Sequence, residues 1–366
     1  MASAQNWGKR PDTVVRETAP FNAEPVPAAL AGHEITPIEA FYSRNHGPVP
    51  DVATDDWRLT VDGRVTDVLD LTFDRLVSDF AGYEVTATLQ CAGNRREEFV
   101  AIRPIPGEDP WGPGATSTAR WGGVRLADVL VAAGVGDGAG LHVEFTAPDV
   151  AADATPEQAY GSSIPLRKAL SGEVLLAWEM NGQPLPRLHG GPVRVVVPGF
   201  IGARSVKWVN RVTVRNGPSD NYFQAHAYRL LPADADPADA AEGIALSSIG
   251  LNSAILSPAD GEVLPAGPIA VTGYALAGDD REIARVDVSA DGGVTWRAAD
   301  LSPSRGPWAW RLWTSTVDAV AGNLDVVARA WDDTGALQSE SAVALWNPKG
   351  YANYSWPRHR IVVRGT

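Results

Sequence analysis

The run LLPADADPADAAEG, from Leu230 to Gly243, cuts the chain in two. Before it stands NRVTVRN, rich in the β-branched residues that strands favour. Within it Pro, Ala and Asp take over, a composition that supports neither a strand interior nor an apolar core. A chain of 366 residues exceeds the roughly 250–300 residues at which a single hydrophobic core stops growing. The break therefore reads as a boundary between two domains. The organisation expected is a lead at 1–34, a first domain at 35–232, a linker at 233–250 and a second domain at 251–366.

After a polar, proline-containing lead, Trp57, Leu59 and Val61 alternate with Arg58, Thr60 and Asp62 before Gly63, the period-2 pattern of a half-buried strand ending in a turn. In RLADVLVAAGVGD the apolar positions Leu126, Val129, Leu130 and Ala133 share one helical face, and Gly134 stands where a left-handed C-cap belongs. PVRVVVPG reads as a buried strand delivering a loop at Pro198 and Gly199. Beyond the boundary, Ala284, Val286 and Val288 alternate with Arg285, Asp287 and Ser289. Asp291, Gly292 and Gly293 then supply a turn before Val294 and Trp296, which predicts a hairpin. With LDVVARAW as another strand, and 36 Gly and 28 Pro to make turns, the second domain is expected to be a small all-β sandwich.

The formal net charge of −13 repels polyanions over the surface as a whole and argues against nucleic acid as a partner. A site for a small anion must then be a local cationic pocket. No stretch approaches the roughly 18 uninterrupted apolar residues of a membrane span, and MASAQNWGKRPDTVVRETAPFN lacks the apolar centre of a secretory signal. The expectation is a cytoplasmic protein with no membrane span.

Common catalytic signatures are missing: there is no Walker loop, no HExxH, no GxSxG elbow and no GxGxxG after a strand. The nearest glycine cluster, AGVGDGAG, follows a helix and reads as a loop. The single cysteine excludes a c-type haem, which needs CxxCH, as well as an internal disulfide and a zinc site of several thiolates. Cys91 is therefore either an inert core residue or a lone ligating thiolate. It stands in LQCAGNRR, followed by small Ala92 and Gly93, then Asn94 and the pair Arg95 and Arg96. Two guanidinium groups beside a thiol favour the thiolate, the form that binds metal, and small neighbours let the backbone approach a bulky ligand. Composition alone favours the other reading, a buried Cys beside a surface arginine pair.

LQCAGNRR is similar, residue for residue, to the molybdenum-ligand segment of the sulfite oxidase family. The family's pattern continues in chain order through FYSRNHGPVP, WGPGATSTARWGGVRL, YGSSIPL, LHGGPVRVVVPGFIGARSVKW, PSDNYFQ and WNPKG. The likeness runs from about residue 35 to about residue 360. It implies an α+β fold, in which a molybdopterin-binding catalytic domain is followed by an immunoglobulin-like β-sandwich that serves this family for dimerisation, hence a homodimer. It also implies a molybdenum–molybdopterin cofactor and no haem in this chain.

On this resemblance Cys91 is the protein's thiolate ligand to molybdenum. Tyr42, Ser43, Arg44, Asn45 and His46 contact the pterin, together with Asp149, His189, Arg194, Ser205, Val206 and Lys207. A buried phosphate and a polar pterin need such Arg, Lys and His donors. Arg44, Arg96, Trp111, Tyr160 and Lys349 line the pocket of a small oxyanion, for which guanidinium donors are suited. Without the flanking motifs, His46 and His189 read as hydrogen-bonded loop histidines, Trp111 as a packing residue and Tyr160 as a turn residue. The implied reaction is oxidation of sulfite to sulfate by oxygen-atom transfer, with electrons passed to an external acceptor, either a cytochrome or oxygen.

One departure matters. Sulfite-oxidising members of the family carry arginine in WNLRG, whereas this chain reads WNPKG. Lys349 keeps the positive charge and loses the planar fork that grips an oxyanion through two donors. Eukaryotic-type nitrate reductases share the molybdenum domain and also lack that arginine. Reduction of nitrate or another oxyanion, or of a sulfoxide as in bacterial relatives, is therefore the enzymatic alternative. A β-sandwich binding protein with a structural Cys segment is the alternative outside enzymes.

Overall fold

The alternation at Trp57–Val61 becomes the strand Arg58–Gly63, in which Leu59 and Val61 are closed to solvent beside a buried Trp57. In the computed structural model, which describes residues 6–238 and 243–365, this strand is second in a mixed five-stranded sheet. Residues 239–242 of the expected linker lie outside the described residues, as do 1–5 and 366. Arg58–Gly63 pairs antiparallel with Leu69–Thr72 and parallel with Arg211–Asn216. Arg211–Asn216 pairs onward with Leu141–Ala151, and that strand with Gln158–Pro165. A second sheet joins Gly82–Gln90, Thr116–Arg125 and Leu175–Met180, with Gln183–Pro184 and Arg194–Val196 both paired to Leu175–Met180. Between the sheets run short helices, among them Leu126–Ala132, whose apolar face is buried. Ala133 caps it and Gly134 follows at φ +69°, the left-handed turn a Cβ would oppose.

The chain ahead of residue 35 is built into this domain. Val14–Thr18 and Phe21–Glu24 form a hairpin, and Ala23 pairs with Ser43 at the edge of the cleft described below. The buried Glu24 carboxylate accepts from the N–H groups of Gly112 and Gly114 and pairs with Arg16 at 2.6 Å.

The C-terminal domain is a two-sheet sandwich. One sheet orders Asn252–Ser257, Gly267–Leu276, Arg311–Ala319 and Asp300–Leu301. The other orders Val263–Pro265, Arg358–Arg364, Gly322–Asp332, Ile283–Ser289 and Arg297–Ala298. Their facing apolar side chains, including Ile255, Val271, Val286, Trp313 and Ala328, make a separate core. The hairpin forms with a longer turn than its residues suggested. Val294 is 80% exposed and the return strand starts only at Arg297, opposite Val288. Asp291 is the cause, because its carboxylate accepts from the Val294 and Thr295 N–H groups and extends the turn through them. A bulge between Ile283 and Arg285 turns Ala284 outward. The polar position Asp287 is fully buried, neutralised by Arg285 at 2.6 Å and Arg329 at 3.3 Å. Among the described residues no helix is long and apolar enough to cross a membrane.

Candidate active site

Strand Gly82–Gln90 delivers Cys91 into a tight turn, where its N–H donates to Ala115 and its carbonyl accepts from Asn94. The thiol faces a cleft of about 650 Å³ that gathers Tyr42, Ser43, Arg44, Asn45, His46, Asp149, Tyr160, His189, Arg194, Ser205 and Lys207. Twelve of the sequence-predicted site residues, counting Cys91, therefore meet in one place, though they come from five separate stretches of chain.

Four predicted residues lie elsewhere. Val206 points into the apolar core while Ser205 and Lys207 on either side face the cleft. Trp111 is fully buried in the apolar cluster that also holds Tyr42 and Cys91, so it packs behind the site and does not line it. Arg96 and Lys349 meet each other beyond Cys91: the Arg96 Nε donates to the Lys349 carbonyl at 3.0 Å.

Two expectations about the Cys91 segment are corrected. Of the adjacent arginines, Arg95 turns away from the thiol, pairing with Glu98 and donating to Ser253 and Ser355 of the sandwich at 2.8 and 2.7 Å. Burial pushes the Cys91 thiol up, outweighing Arg96, the Gly93 N–H and Arg44, which all favour the thiolate. The small residue after it serves a neighbour: a Cβ on Gly93 would stand 2.4 Å from the Arg96 guanidinium. Gly350, at φ +60°, closes on the same side chain nearer its stem, where a Cβ would come within 2.6 Å of Cγ. Arg96 is thus closely approached by two glycines, with a third contact to the Tyr351 ring at 5.2 Å.

The cleft is electropositive by construction. Arg194 donates to the carbonyls of His189 and Ser205 at 2.8 and 2.9 Å, and Lys207 donates to Asn45 and to Leu188 at 3.3 Å. Among the described residues no carboxylate stands within ion-pair distance of either. Burial pulls Arg194 down to about 10, which leaves it cationic at neutral pH, and depresses Lys207 strongly. Asp149 is pushed up to about 6 by burial, with Lys207 pulling the other way, and its Oδ1 has no hydrogen-bond partner. Buried charges and an orphaned carboxylate oxygen are costly unless a polar ligand satisfies them. They are the electrostatic complement of a buried cofactor that ends in a phosphate and presents polar ring edges.

Several contributors escaped the sequence reading. Tyr228 donates to or accepts from the His46 Nε2 at 2.7 Å and stacks on Tyr351, while His46 stacks on Tyr160 at 4.7 Å. Burial beside Arg44 and Lys207 keeps His46 neutral. Tyr160 donates its hydroxyl to the Ala203 carbonyl at 2.8 Å. Lys9, from the N-terminal segment, reaches the back of the cleft: its Nζ lies 2.9 Å from the Ile38 carbonyl, 2.6 Å from Phe41 and 2.8 Å from His189 Nε2. Three acceptors for three N–H donors suit an ammonium, although burial lowers it to about 7. No periodicity marks Lys9, and only its long-range partners reveal it.

Residues 46–223 match the family described as oxidoreductase molybdopterin binding domain, and residues 244–365 the Mo-co oxidoreductase dimerisation domain. Fold and site thus define a molybdopterin-dependent oxidoreductase. The chain is 45% identical over 361 residues to sulfite oxidase of Gallus gallus, covering 96% of this chain and 78% of that protein. It is 38% identical over 388 residues to sulfite oxidase of Arabidopsis thaliana, covering 99% and 96%. It spans 66% of the length of the longer mitochondrial sulfite oxidase of Homo sapiens. The crystal structure of the sulfane dehydrogenase SoxCD from Paracoccus pantotrophus superposes with a TM-score of 0.79 at 27% identity, over 93% of this chain and 84% of that one. The chain belongs to the sulfite oxidase family.

Proposed function

We propose that this protein oxidises sulfite to sulfate at a molybdenum–molybdopterin cofactor held in the Cys91 cleft and passes the electrons to an external acceptor. The observation that carries the reading is the convergence of a lone buried thiol with buried cations that have no carboxylate partner among the described residues. Cys91 belongs to no cluster of three metal-ligating side chains among the described residues, as befits a metal whose other ligands come with its cofactor.

Arg194, Lys207 and His189 would hold the cofactor's anionic and polar groups, with Ser43, Ser205 and Asp149 completing the set. Once bound, the molybdenum centre supplies two-electron oxygen-atom transfer. The chain's own part is to bind and orient the anion. Arg44 and His46 also line a second, outer cleft of about 1020 Å³ with Glu108 and Asp109. Substrate enters there and meets Arg44, Arg96 and Lys349. Tyr160, with its hydroxyl committed to Ala203, steadies the His46 ring. The sandwich joins two copies of the chain into a homodimer.

Metal analysis of the purified protein combined with sulfite-dependent reduction of a dye acceptor tests the reading. One molybdenum per chain with sulfite turnover is the expected result. Molybdenum-loaded protein that ignores sulfite and turns over nitrate or a sulfoxide would replace sulfite with that substrate.

A further inference from the structure

We propose that the Glu108 carboxylate sits in the seat of the substrate anion, bridging Arg96 and Lys349, and must swing out before an oxyanion binds. The inference rests on the reading above that these two cations hold the substrate. One oxygen of Glu108 lies 3.2 Å from the Arg96 guanidinium and the other 3.6 Å from the Lys349 ammonium. A carboxylate edge shared between two cations is the arrangement that an oxyanion's two oxygens would make there.

Glu108 is not what positions Arg96. The Arg96 Nε and Nη1 are fixed by the carbonyls of Lys349 and Asp109 at 3.0 and 2.7 Å, and Gly93 and Gly350 both pack closely on its side chain. Without Glu108 the guanidinium keeps its place and loses only the partner on Nη2. Lys349 has no other side-chain partner among the described residues, so it too is released to an incoming anion.

The Glu108 side chain has the freedom to leave. It follows Gly107, at φ +79°, in an irregular stretch between the helix Arg96–Val100 and Trp111. The stretch is pinned one residue later, where the Asp109 carbonyl accepts from both Arg96 and the Trp111 N–H. Glu108 is largely covered, with 18% of its side chain exposed, and that exposed edge opens on the outer cleft it lines with Arg44, the side to which it would rotate. The pairing also accounts for lysine at position 349. A mobile point charge is easier to exchange between two anionic partners than a guanidinium clasped through a planar fork.

The test uses sulfate, the product anion, titrated calorimetrically into the holoenzyme, alongside steady-state sulfite kinetics. Removing one internal competitor of this exposure should tighten binding by roughly three- to tenfold. Glu108→Gln should therefore lower both the sulfate Kd and the sulfite KM by that factor. Glu108→Asp, too short to reach both cations, should fall between. In a Lys349→Met background the gain from Glu108→Gln should shrink, because one of the two contacts is already gone. If Glu108→Gln leaves sulfate binding unchanged or weakens it while Arg96→Gln and Lys349→Met also weaken it, Glu108 is a supporting partner and the proposal is overturned. If neither Arg96→Gln nor Lys349→Met alters sulfate binding, the assignment of the anion site itself fails.

Discussion

Cys91 and Asp149 line the same cleft, and burial shifts both towards their protonated forms. Burial favours the neutral thiol at Cys91, so on the reading proposed above a metal would have to draw out the thiolate. Serine there offers a harder, poorer donor of nearly the same shape. Cys91→Ser should lose sulfite turnover while its unfolding midpoint moves by no more than about 4 °C. Wild-type turnover in a molybdenum-loaded serine variant would remove Cys91 from the metal. At Asp149 the carboxyl pKa is raised by burial to about 6, above the unfolded value of about 3.9. A raised folded-state pKa means folding takes up a proton, so its contribution is fully present below pH 4 and is lost as pH rises through 6. In the cofactor-free protein, Asp149→Asn should remove on the order of 1–2 kcal/mol of that decline. Melting curves between pH 4 and 7 decide it: parallel profiles for variant and parent would show that Asp149 does not titrate in this window.

The N-terminal segment acts as an element of the site through one side chain. Lys9 Nζ lies 2.8 Å from His189 Nε2, so a charged Lys9 donates to the ring and fixes the proton of the neutral imidazole on Nδ1. Lys9→Met keeps the volume and strips the donors, leaving two carbonyls and a ring nitrogen unpaired at roughly 1–3 kcal/mol. Pterin content of the purified variant, read by fluorescence after release, should drop severalfold. Full pterin content at an unchanged melting midpoint would assign Lys9 no part in cofactor binding. Lys9 also shows where sequence reading stops. The strands at Arg58–Gly63 and Gly322–Asp332 were legible because period-2 burial is written locally, and the Cys91 segment because eight consecutive residues resemble a known family. Lys9 meets its histidine 180 positions away, and a lone lysine in a polar stretch has the appearance of a solvated charge. Trp111 failed for a related reason. Its motif was recognisable, but which face of a loop turns inward depends on Glu24 and Arg96 gripping the backbone around it.

At the scale of the molecule, the two domains meet behind the Cys91 turn, since the segment carrying Lys349 and Tyr351 leaves the sandwich, crosses to that turn and returns. Ala352 donates to the Ala92 carbonyl at 2.9 Å, and Asn94 donates to Tyr274 of the sandwich at 2.8 Å. Light scattering at micromolar concentration should find a dimer of the full chain, and a monomer there would sink the homodimer. A further connection within one chain is Arg95, which is fully buried and holds a left-handed backbone at φ +62°. Its Nη1 bridges two sandwich carbonyls, of Ser253 and Ser355, while Nε and Nη2 pair with Glu98. Asn353 in turn donates to the Arg95 carbonyl at 2.9 Å. Arg95→Met fills the space but orphans both carbonyls, and the partly exposed Glu98 can turn to water, so the loss is set by the carbonyls at roughly 2–3 kcal/mol. For a chain of this size that corresponds to a fall in unfolding midpoint of about 3–4 °C. Arg95→Lys should recover little of it, since an ammonium cannot serve the carboxylate and both carbonyls through a planar fork. Because Arg96 is the next residue, the sulfite KM should rise in the same variants while molybdenum content holds. A calorimetric scan of Arg95→Met that overlays the parent, together with an unchanged KM, would show that the domains are joined by contacts other than this one.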